Sequence, residues 1–313
     1  MALRSLNNTP PPAIDHRKKP AKITGFLIND ENIAPSSTNV ASNGRANPPV
    51  AKSNCEIPAS DQGIDYIASK NLPALPDPEA NIQSLMEKLE SKDWLTMCEA
   101  LNNTRRLALY HSSTLLPLIE KVVMVLVKGL KNPRSAVCKT SIMASSDLFH
   151  SFPHIFFSTA MAEPFHQLLL QLLLKASQDK KFVCEEAEKA LQAMSSFLPG
   201  LPLLEKVRPL VGHTNLRVRA KAAVSFCNCV TKMESSDIKE FGCSGLLQVA
   251  ADLLNDRLPE AREAARKIAT TIYTVFTSEE KEETTASEQW QSFCFSNLPP
   301  LSAQAVSKLI TSQ

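Results

Sequence analysis

The sequence predicts an all-α fold in which helical pairs stack into a right-handed solenoid. Three observations lead to this prediction: the chain has 21 Pro against only 8 Gly, its apolar residues repeat at helical spacing, and that spacing recurs along the chain. A low glycine content argues against a turn-rich sheet protein, and no convincing stretch of strand-like alternation separates the helical segments. With 313 residues, 43% of them hydrophobic, the chain is long enough to bury a substantial core.

The first 75 residues have a different composition from the rest of the chain. They are rich in Pro, Ser, Asn and Ala and show no apolar period, so burial cannot offset the entropy of ordering them and we expect residues 1–75 to be a disordered tail. A basic cluster, His16 to Lys22, has three interpretations: a solvated tail, a nuclear signal or an electrostatic anchor to an acidic surface. Neither a secretion signal nor an apolar run of about 18 residues is present. We therefore expect a soluble intracellular protein.

Residues 76–277 contain an internal repeat. Anchor residues at positions i, i+4, i+7 and i+11 recur in five helices, and each of these helices follows a polar turn and an apolar partner helix. The first anchors are 40, 46, 35 and 43 residues apart, which is the irregular spacing typical of HEAT-type helical pairs. Since no pair can bury its apolar face alone, five stacked pairs would share one core. The anchors are Met97, Leu101, Thr104 and Ala108; Val137, Ser141, Ala144 and Leu148; Val183, Ala187, Ala190 and Met194; Val218, Ala222, Ser225 and Cys229; and Ala261, Ala265, Ile268 and Ile272.

Residues 278–313 follow the last repeat. The stretch from Thr277 to Trp290 is predicted to be an acidic connector, and Leu298 to Ile310 a short amphipathic helix. That helix would either cap the last repeat or engage a partner. Capping is favoured, because a bare solenoid end would expose apolar surface.

Composition and motifs argue against several classes of function. The eight cysteines form no CxxC pair, so a disulfide framework or zinc site is not expected and a reducing compartment is favoured. The chain has no Gly-rich phosphate loop, HExxH or GxSxG motif, and its six histidines are scattered. A net charge of +2 does not by itself indicate nucleic-acid binding. We therefore expect no enzyme activity, no cofactor, and neither a nucleic-acid nor a membrane partner.

The five turns within the repeats are the predicted functional site, because a solenoid presents all such turns on one edge. Trp94 belongs to the first turn and has two interpretations. It either inserts into a partner's pocket, with the basic residues registering an acidic surface, or folds back against its own helix. The turns are Glu90 to Trp94, Leu130 to Arg134, Ser177 to Lys181, Gly212 to Arg219 and Asn255 to Arg262, and their side chains include Lys92, Trp94, Lys131, Arg134, Lys180, Lys181, Arg217, Arg219, Arg257 and Arg262.

These motifs resemble TOG domains, the HEAT-repeat tubulin-binding modules of microtubule polymerases and of CLASP-type and crescerin-type proteins. The resemblance rests on the five pairs, the "KDW" turn, the "KNPRSAVCKTSIMASSDLF" second repeat and the "NLRVRAKAA" fourth repeat. The layout is similar to that of a plant ARM-repeat superfamily protein of the TOG type. The resemblance implies binding of αβ-tubulin or microtubules and regulation of microtubule dynamics or organisation. The implied contact residues are Lys92, Trp94, Lys131, Asn132, Arg134, Lys180, Lys181, Asn215, Arg217 and Arg257.

A second hypothesis is a general HEAT or ARM scaffold that binds an acidic or helical protein partner through its concave face. In that case Trp94 would be dispensable. The TOG resemblance instead implies a cytoplasmic protein on the microtubule cytoskeleton, with other cytoskeletal partners and a nuclear fraction left open. Polymerases carry several TOG domains, whereas the resemblance here covers one.

Overall fold

The computed structural model describes residues 66–278 and 283–311, which lie in one compact unit. In these residues the regular structure is helical, without strands. The basic cluster at residues 16–22 lies outside the described residues. The helices are α1 (Pro78–Leu89), α2 (Trp94–Tyr110), α3 (Ser112–Leu115), α4 (Ile119–Leu130), α5 (Ser135–Ser151), α6 (Ala162–Ala176), α7 (Lys181–Phe197), α8 (Gly200–Val207), α9 (Leu216–Val230), α10 (Ser235–Phe241), α11 (Cys243–Leu254), α12 (Pro259–Thr277), α13 (Glu283–Asn297) and α14 (Pro300–Thr311).

The five repeats appear as five helical pairs. Helices α2, α5, α7, α9 and α12 are the second helices of the pairs, and they pack side by side in chain order. Their partners are α1, α4, α6, α11 and, in the fourth pair, α8 with the 3-10 helix Arg208–Gly212. Every anchor except the half-buried Met97 lies in the core. The predicted all-α solenoid is confirmed.

Small side chains let the helices of a pair approach closely, as the contact between α4 and α5 shows. A Cβ added to Gly129 of α4 would collide with the side chain of Ser141 on α5. Ser141 is completely buried. Glycine at position 129 therefore sets the spacing of the second pair.

The segment between the second and third pairs, which contains prolines and several aromatic residues, is packed into the core. Its 3-10 helix, Ile155–Phe157, brings Phe156 to 5.0 Å from Phe149 and 5.2 Å from Phe165, measured between ring centroids. All three rings are fully buried. The aromatics thus fill the gap between α5 and α6.

The ordered domain begins before residue 76, which corrects the expected boundary of the tail. Residues 66–75, here called the strap, lie against α2 and α5. Leu72 is 1% exposed, and the hydroxyl of Ser69 donates a hydrogen bond to Asp147 Oδ1 at 2.6 Å. A Pro- and Asn-containing segment shows no helical period, so its anchoring by single side chains could not be detected from periodicity.

The expected acidic connector also differs from the structure, since α13 begins at Glu283. Trp290 is 1% exposed and packs edge-on against Tyr273 of α12, with the ring centroids 5.4 Å apart. Helix α14 contacts α11 and α12 at the end of the stack. Because α13 buries one narrow aromatic stripe among many polar residues, its sequence looks like a connector.

The described cysteines are all free thiols, and burial raises the pKa of Cys229 to about 12 and that of Cys227 to about 11. They pack as small apolar side chains. Among the described residues, no helix is both long and apolar enough for a membrane span.

Candidate functional site: the turn edge

The five turns form a continuous edge, here called the turn edge, in which each turn directly precedes a second helix. Neighbouring turns are linked in chain order by side-chain contacts, and these contacts show that the turns lie side by side. Arg134 lies over the ring of Trp94 at 4.8 Å, and Lys180 Nζ lies 3.4 Å from Ser135 Oγ. Arg217 pairs with Asp179 at 2.6 Å, and Arg219 pairs with Asp256 at 2.6 Å.

Trp94 is the first residue of α2, and its ring is half-buried against the core. Asp93 caps the helix by accepting hydrogen bonds from the backbone amides of Leu95 (3.3 Å) and Thr96 (3.0 Å). Hydrogen bonds from the hydroxyl and amide of Thr96 lower the pKa of Asp93, with a smaller contribution from Arg134. One part of the Trp94 ring therefore packs against the core, and the other part remains exposed at the turn edge.

Arg134 completes this arrangement as an exposed guanidinium over the Trp94 ring. A cation over an indole face is held by the ring quadrupole. We call Trp94 and Arg134 the aromatic–basic pair. It presents both residue types that dominate the binding energy of protein interfaces.

Several predicted site residues are exposed cations. Lys92, Lys131 and Arg257 form no ion pair among the described residues, and Lys180 contacts only the Ser135 hydroxyl. Lys181 lies 3.8 Å from Glu185; the lysine side chain is 88% exposed and the glutamate side chain 44%. Such an exposed pair contributes little free energy and leaves the lysine accessible.

Asn132 and Asn215 shape the turns on which they lie. The Asn132 side-chain oxygen accepts a hydrogen bond from the backbone amide of Arg134 at 2.9 Å. Asn215 caps α9 by accepting hydrogen bonds from the amides of Arg217 (3.0 Å) and Val218 (3.4 Å). Both residues belong to the turn edge, and both oxygens are already bonded to backbone.

Two of the arginines noticed in the sequence are bonded inside the domain. Arg219 donates a hydrogen bond to the carbonyl of His213 at 3.0 Å and pairs with the buried Asp256. Arg262 donates hydrogen bonds to the carbonyls of Asp256 and Arg257, both at 2.8 Å. These contacts hold the backbone of the fourth and fifth turns in place.

Sequence reasoning missed Leu95, which is 49% exposed beside Trp94. Leu95 is not one of the repeat anchors, and its aliphatic side chain in an amphipathic helix gave no sign of its exposure. A large exposed apolar side chain beside the aromatic–basic pair adds apolar contact area to an otherwise basic edge.

The face formed by the second helices differs from the turn edge, because ion pairs between neighbouring helices occupy it. Each junction between two second helices has at least one such pair. The pairs are Arg105 with Asp147 at 2.6 Å, Lys139 with Glu186 at 3.8 Å, and Lys221 with both Glu188 at 2.8 Å and Glu260 at 2.6 Å.

Lys221 shows how strongly this face is bonded internally. Burial alone would lower the pKa of Lys221, but hydrogen bonds and charges from Glu188 and Glu260 outweigh burial and raise it. The ammonium therefore joins α7, α9 and α12 through two carboxylates. Its charge is used within the domain and is less available to a partner.

Comparison with known proteins finds relatives that share only part of their length with this chain. No family model matches. The chain is 27% identical over 196 residues to mouse (Mus musculus) TOG array regulator of axonemal microtubules protein 1, which covers 61% of this chain and 11% of the mouse protein. It is 31% identical over 117 residues to the human (Homo sapiens) protein of the same name, which covers 37% of this chain and 6% of the human protein.

Two solved structures have a similar fold. One comes from a study of microtubule plus-end tracking by XMAP215, CLIP-170 and EB1; it has a TM-score of 0.51 and 15% identity, and the match covers 77% of this chain and 94% of that one. The other is a TOG domain of Zyg9 from C. elegans, with a TM-score of 0.50 and 15% identity over 66% of this chain and 78% of that one. The curated relatives are named as regulators rather than enzymes. The resemblance to TOG domains that the turn motifs indicated is thus confirmed in sequence and in fold.

Proposed function

We propose that this chain binds αβ-tubulin or microtubules through its turn edge and thereby regulates microtubule dynamics or organisation. The observation that carries the proposal is the aromatic–basic pair at one end of an ordered row of exposed basic side chains. The sequence relatives are named for axonemal microtubules, which supports this choice of partner. The proposed contact residues are Lys92, Trp94, Lys131, Asn132, Arg134, Lys180, Lys181, Asn215, Arg217 and Arg257.

Each part of the edge has a distinct role in the proposed contact. Trp94 and Arg134 supply the aromatic and arginine contacts that carry most of the affinity of protein interfaces. The lysines attract the acidic surface of tubulin and speed the encounter. Asn132 and Asn215 hold their turns in the shape that presents Arg134 and Arg217. Binding requires no cofactor, and the protein would act on cytoplasmic microtubules.

The turn edge is a better candidate than a helix face for the partner site. A general scaffold would bind an acidic or helical partner across exposed helices. The second-helix face is cross-linked by its own ion pairs and is crossed by the strap near α2 and α5. Lys92, Lys131 and Arg257, which form no ion pair among the described residues, lie at the turns instead.

The test is sedimentation of the full chain with unpolymerised αβ-tubulin, comparing the parent with Trp94→Ala. Because truncation of a central aromatic contact costs about 2 kcal/mol or more, we expect an affinity loss of about 30-fold. Circular dichroism checks that the variant remains helical. Phe197→Ala is the matched control, since Phe197 is an aromatic residue, 45% exposed, at the opposite end of a second helix.

The control should bind as the parent does. If the parent fails to bind tubulin, the proposed function is wrong. If the folded Trp94→Ala variant binds as tightly as the parent, the turn edge is not the contact surface.

A further inference from the structure

The strap runs across the second-helix face from the edge opposite the turns. At its far end, Tyr110, the last residue of α2, donates a hydrogen bond from its hydroxyl to the carbonyl of Leu72 at 2.7 Å. Further along, Ser69 bonds to Asp147, and the guanidinium of Arg105 approaches the Ser69 hydroxyl at 3.3 Å. A buried ion pair thus holds the middle of the strap.

The other end of the strap lies close to the turn edge. Tyr66 packs over Lys139, with the ammonium 4.4 Å from the ring centroid. Lys139 is the fifth residue of α5, so it lies about 6 Å along the axis from the start of that helix. Tyr110, by contrast, ends a helix of 17 residues that is about 25 Å long. The strap therefore holds Tyr66 close to the second and third turns, while its other end is bonded to Tyr110 at the opposite edge.

Tyr66 is part of a second cation and aromatic cluster. The same Lys139 ammonium lies 6.0 Å from the ring of Phe182, which directly follows Lys181 of the third turn. The three side chains are half-buried rather than enclosed. The arrangement matches the aromatic–basic pair of Trp94 and Arg134 at the first two turns, with its aromatic ring supplied by the strap.

An open cleft of about 350 Å³ adjoins this cluster. Its lining includes the basic side chains of Arg105, Lys139 and Lys189, together with Tyr66 and Glu186. Lys139 lies 3.8 Å from Glu186, and the 18% of its side chain that remains exposed borders the cleft. An acidic side chain on a partner's surface fits this chemistry.

We propose that Tyr66, with Lys139 and Phe182, is a second contact point for the acidic protein surface that binds the turn edge, which makes the strap part of the binding site. This inference rests on the proposed function. It adds a contact from outside the helical repeats. A domain that begins at residue 76 would lack this contact point.

The experiment places a photo-cross-linking phenylalanine analogue, p-benzoylphenylalanine, at one position at a time in the full chain, with αβ-tubulin as the probe. Position 66 is the test, and position 110 is the matched control, because it replaces a tyrosine bonded to the other end of the strap. Position 95, beside Trp94, reports whether tubulin sits on the turn edge at all. We expect adducts with tubulin at 95 and 66, and about tenfold less at 110, since short-lived encounters with a surface lying about 20 Å away are rare.

The outcomes separate the two proposals. Adducts at 95 with no more product at 66 than at 110 would overturn the second contact point while leaving the turn-edge function intact. No adduct above background at any of the three positions means that the proposed function itself fails. As an independent readout, Tyr66→Ala should weaken tubulin affinity about threefold, because it removes the proposed contact ring and the cation–π contact that holds the Lys139 ammonium in place. Tyr66→Phe, which keeps the ring, should bind as the parent does.

Discussion

The first three turns and the last two carry similar numbers of basic residues but use them differently. In the first three, here called the front turns, Lys92, Lys131 and Lys180 have no acidic partner among the described residues. In the last two, the rear turns, Arg219 pairs with Asp256, and Arg262 bonds to backbone carbonyls. Basic residues of the front turns remain available to a partner, whereas most of those in the rear turns hold the domain together.

The physical reason for this difference is the type of basic residue: the unpaired cations of the front turns are lysines, and the bonded cations of the rear turns are arginines. A lysine ammonium on a flexible stem remains hydrated and gains little from an exposed partner. An arginine fork can satisfy several backbone carbonyls and a carboxylate at once. Arg217 lies between the two cases, because its partner, Asp179, belongs to a front turn and is itself exposed.

The comparison predicts that the largest loss of tubulin binding comes from charge reversal in the front turns. Lys92→Glu, Lys131→Glu and Lys180→Glu combined should weaken binding to unpolymerised tubulin about 100-fold, or roughly 1 kcal/mol per reversed charge. The thermal midpoint should change little, since none of the three lysines forms an ion pair within the described residues. Titration at low and high salt should show that the affinity of the variant depends less on salt than that of the parent.

A variant with the same net charge serves as the control. Lys121→Glu, Lys239→Glu and Lys308→Glu combined change exposed residues of α4, α10 and α14 that lie off the turn edge. This variant should keep most of the parent's affinity. Equal losses in the two variants would mean that overall charge, not the front turns, determines binding.

A change in the rear turns should instead affect stability. Arg219→Met leaves the buried Asp256 without its cation and should lower the free energy of unfolding by about 2 kcal/mol, while tubulin affinity stays near that of the parent. Guanidinium unfolding followed by circular dichroism measures this cost. A stable variant that lost tubulin binding would show that Arg219 is a contact residue and would erase the distinction between front and rear turns.

The stability cost should also depend on pH in a defined direction. Burial would raise the pKa of Asp256, but the Leu258 amide and Arg219 outweigh burial and lower it below 3.8. A lowered folded-state pKa contributes stability that is present above the unfolded pKa and lost as pH falls through the folded pKa. The difference between parent and Arg219→Met should therefore be full near neutral pH and shrink below about pH 4.

Much of the fold could be predicted from the sequence, because repeated apolar spacing directly reports which helix faces are buried. All the anchors but Met97, including the small residues Ala187 and Ser225, lie in the core as expected. The strap and α13 could not be predicted, since Leu72 and Trp290 are held by a few contacts distant in sequence. Periodicity carries no signal for such contacts.

The candidate site could be predicted in position but not in the state of its side chains. The turns lie where the repeat placed them, yet nothing local to Arg219 indicates that Asp256, 37 residues away, takes up its charge. Trp94 shows the same limit, since the guanidinium that lies over its ring belongs to Arg134 in the next repeat. Contacts between repeats decide which basic residues remain available.

The smallest predicted effect compares the two turn asparagines. Asn132→Ala removes the acceptor for the Arg134 amide and frees the turn that holds the guanidinium over Trp94. Asn215→Ala removes the cap of α9. A lost cap costs about 1 kcal/mol of stability, so both variants should unfold slightly earlier than the parent. Asn132→Ala should also weaken tubulin binding, about threefold, because Arg134 is less well positioned. Asn215→Ala should weaken tubulin binding less, because Arg217, which Asn215 positions, is already paired with Asp179.

Sedimentation with αβ-tubulin and thermal unfolding on the same samples distinguish the two roles. Asn132→Asp and Asn215→Asp keep a side-chain acceptor for the backbone amides and should restore the thermal midpoint. The added negative charge should still weaken binding if tubulin's acidic surface comes close to the turn. Restored stability with full affinity in Asn132→Asp would show that position 132 lies outside the contact, which would then rest on the other proposed residues of the front turns. A binding loss in Asn215→Ala as large as that in Asn132→Ala would instead show that the rear turns contribute as much to the contact as the front turns.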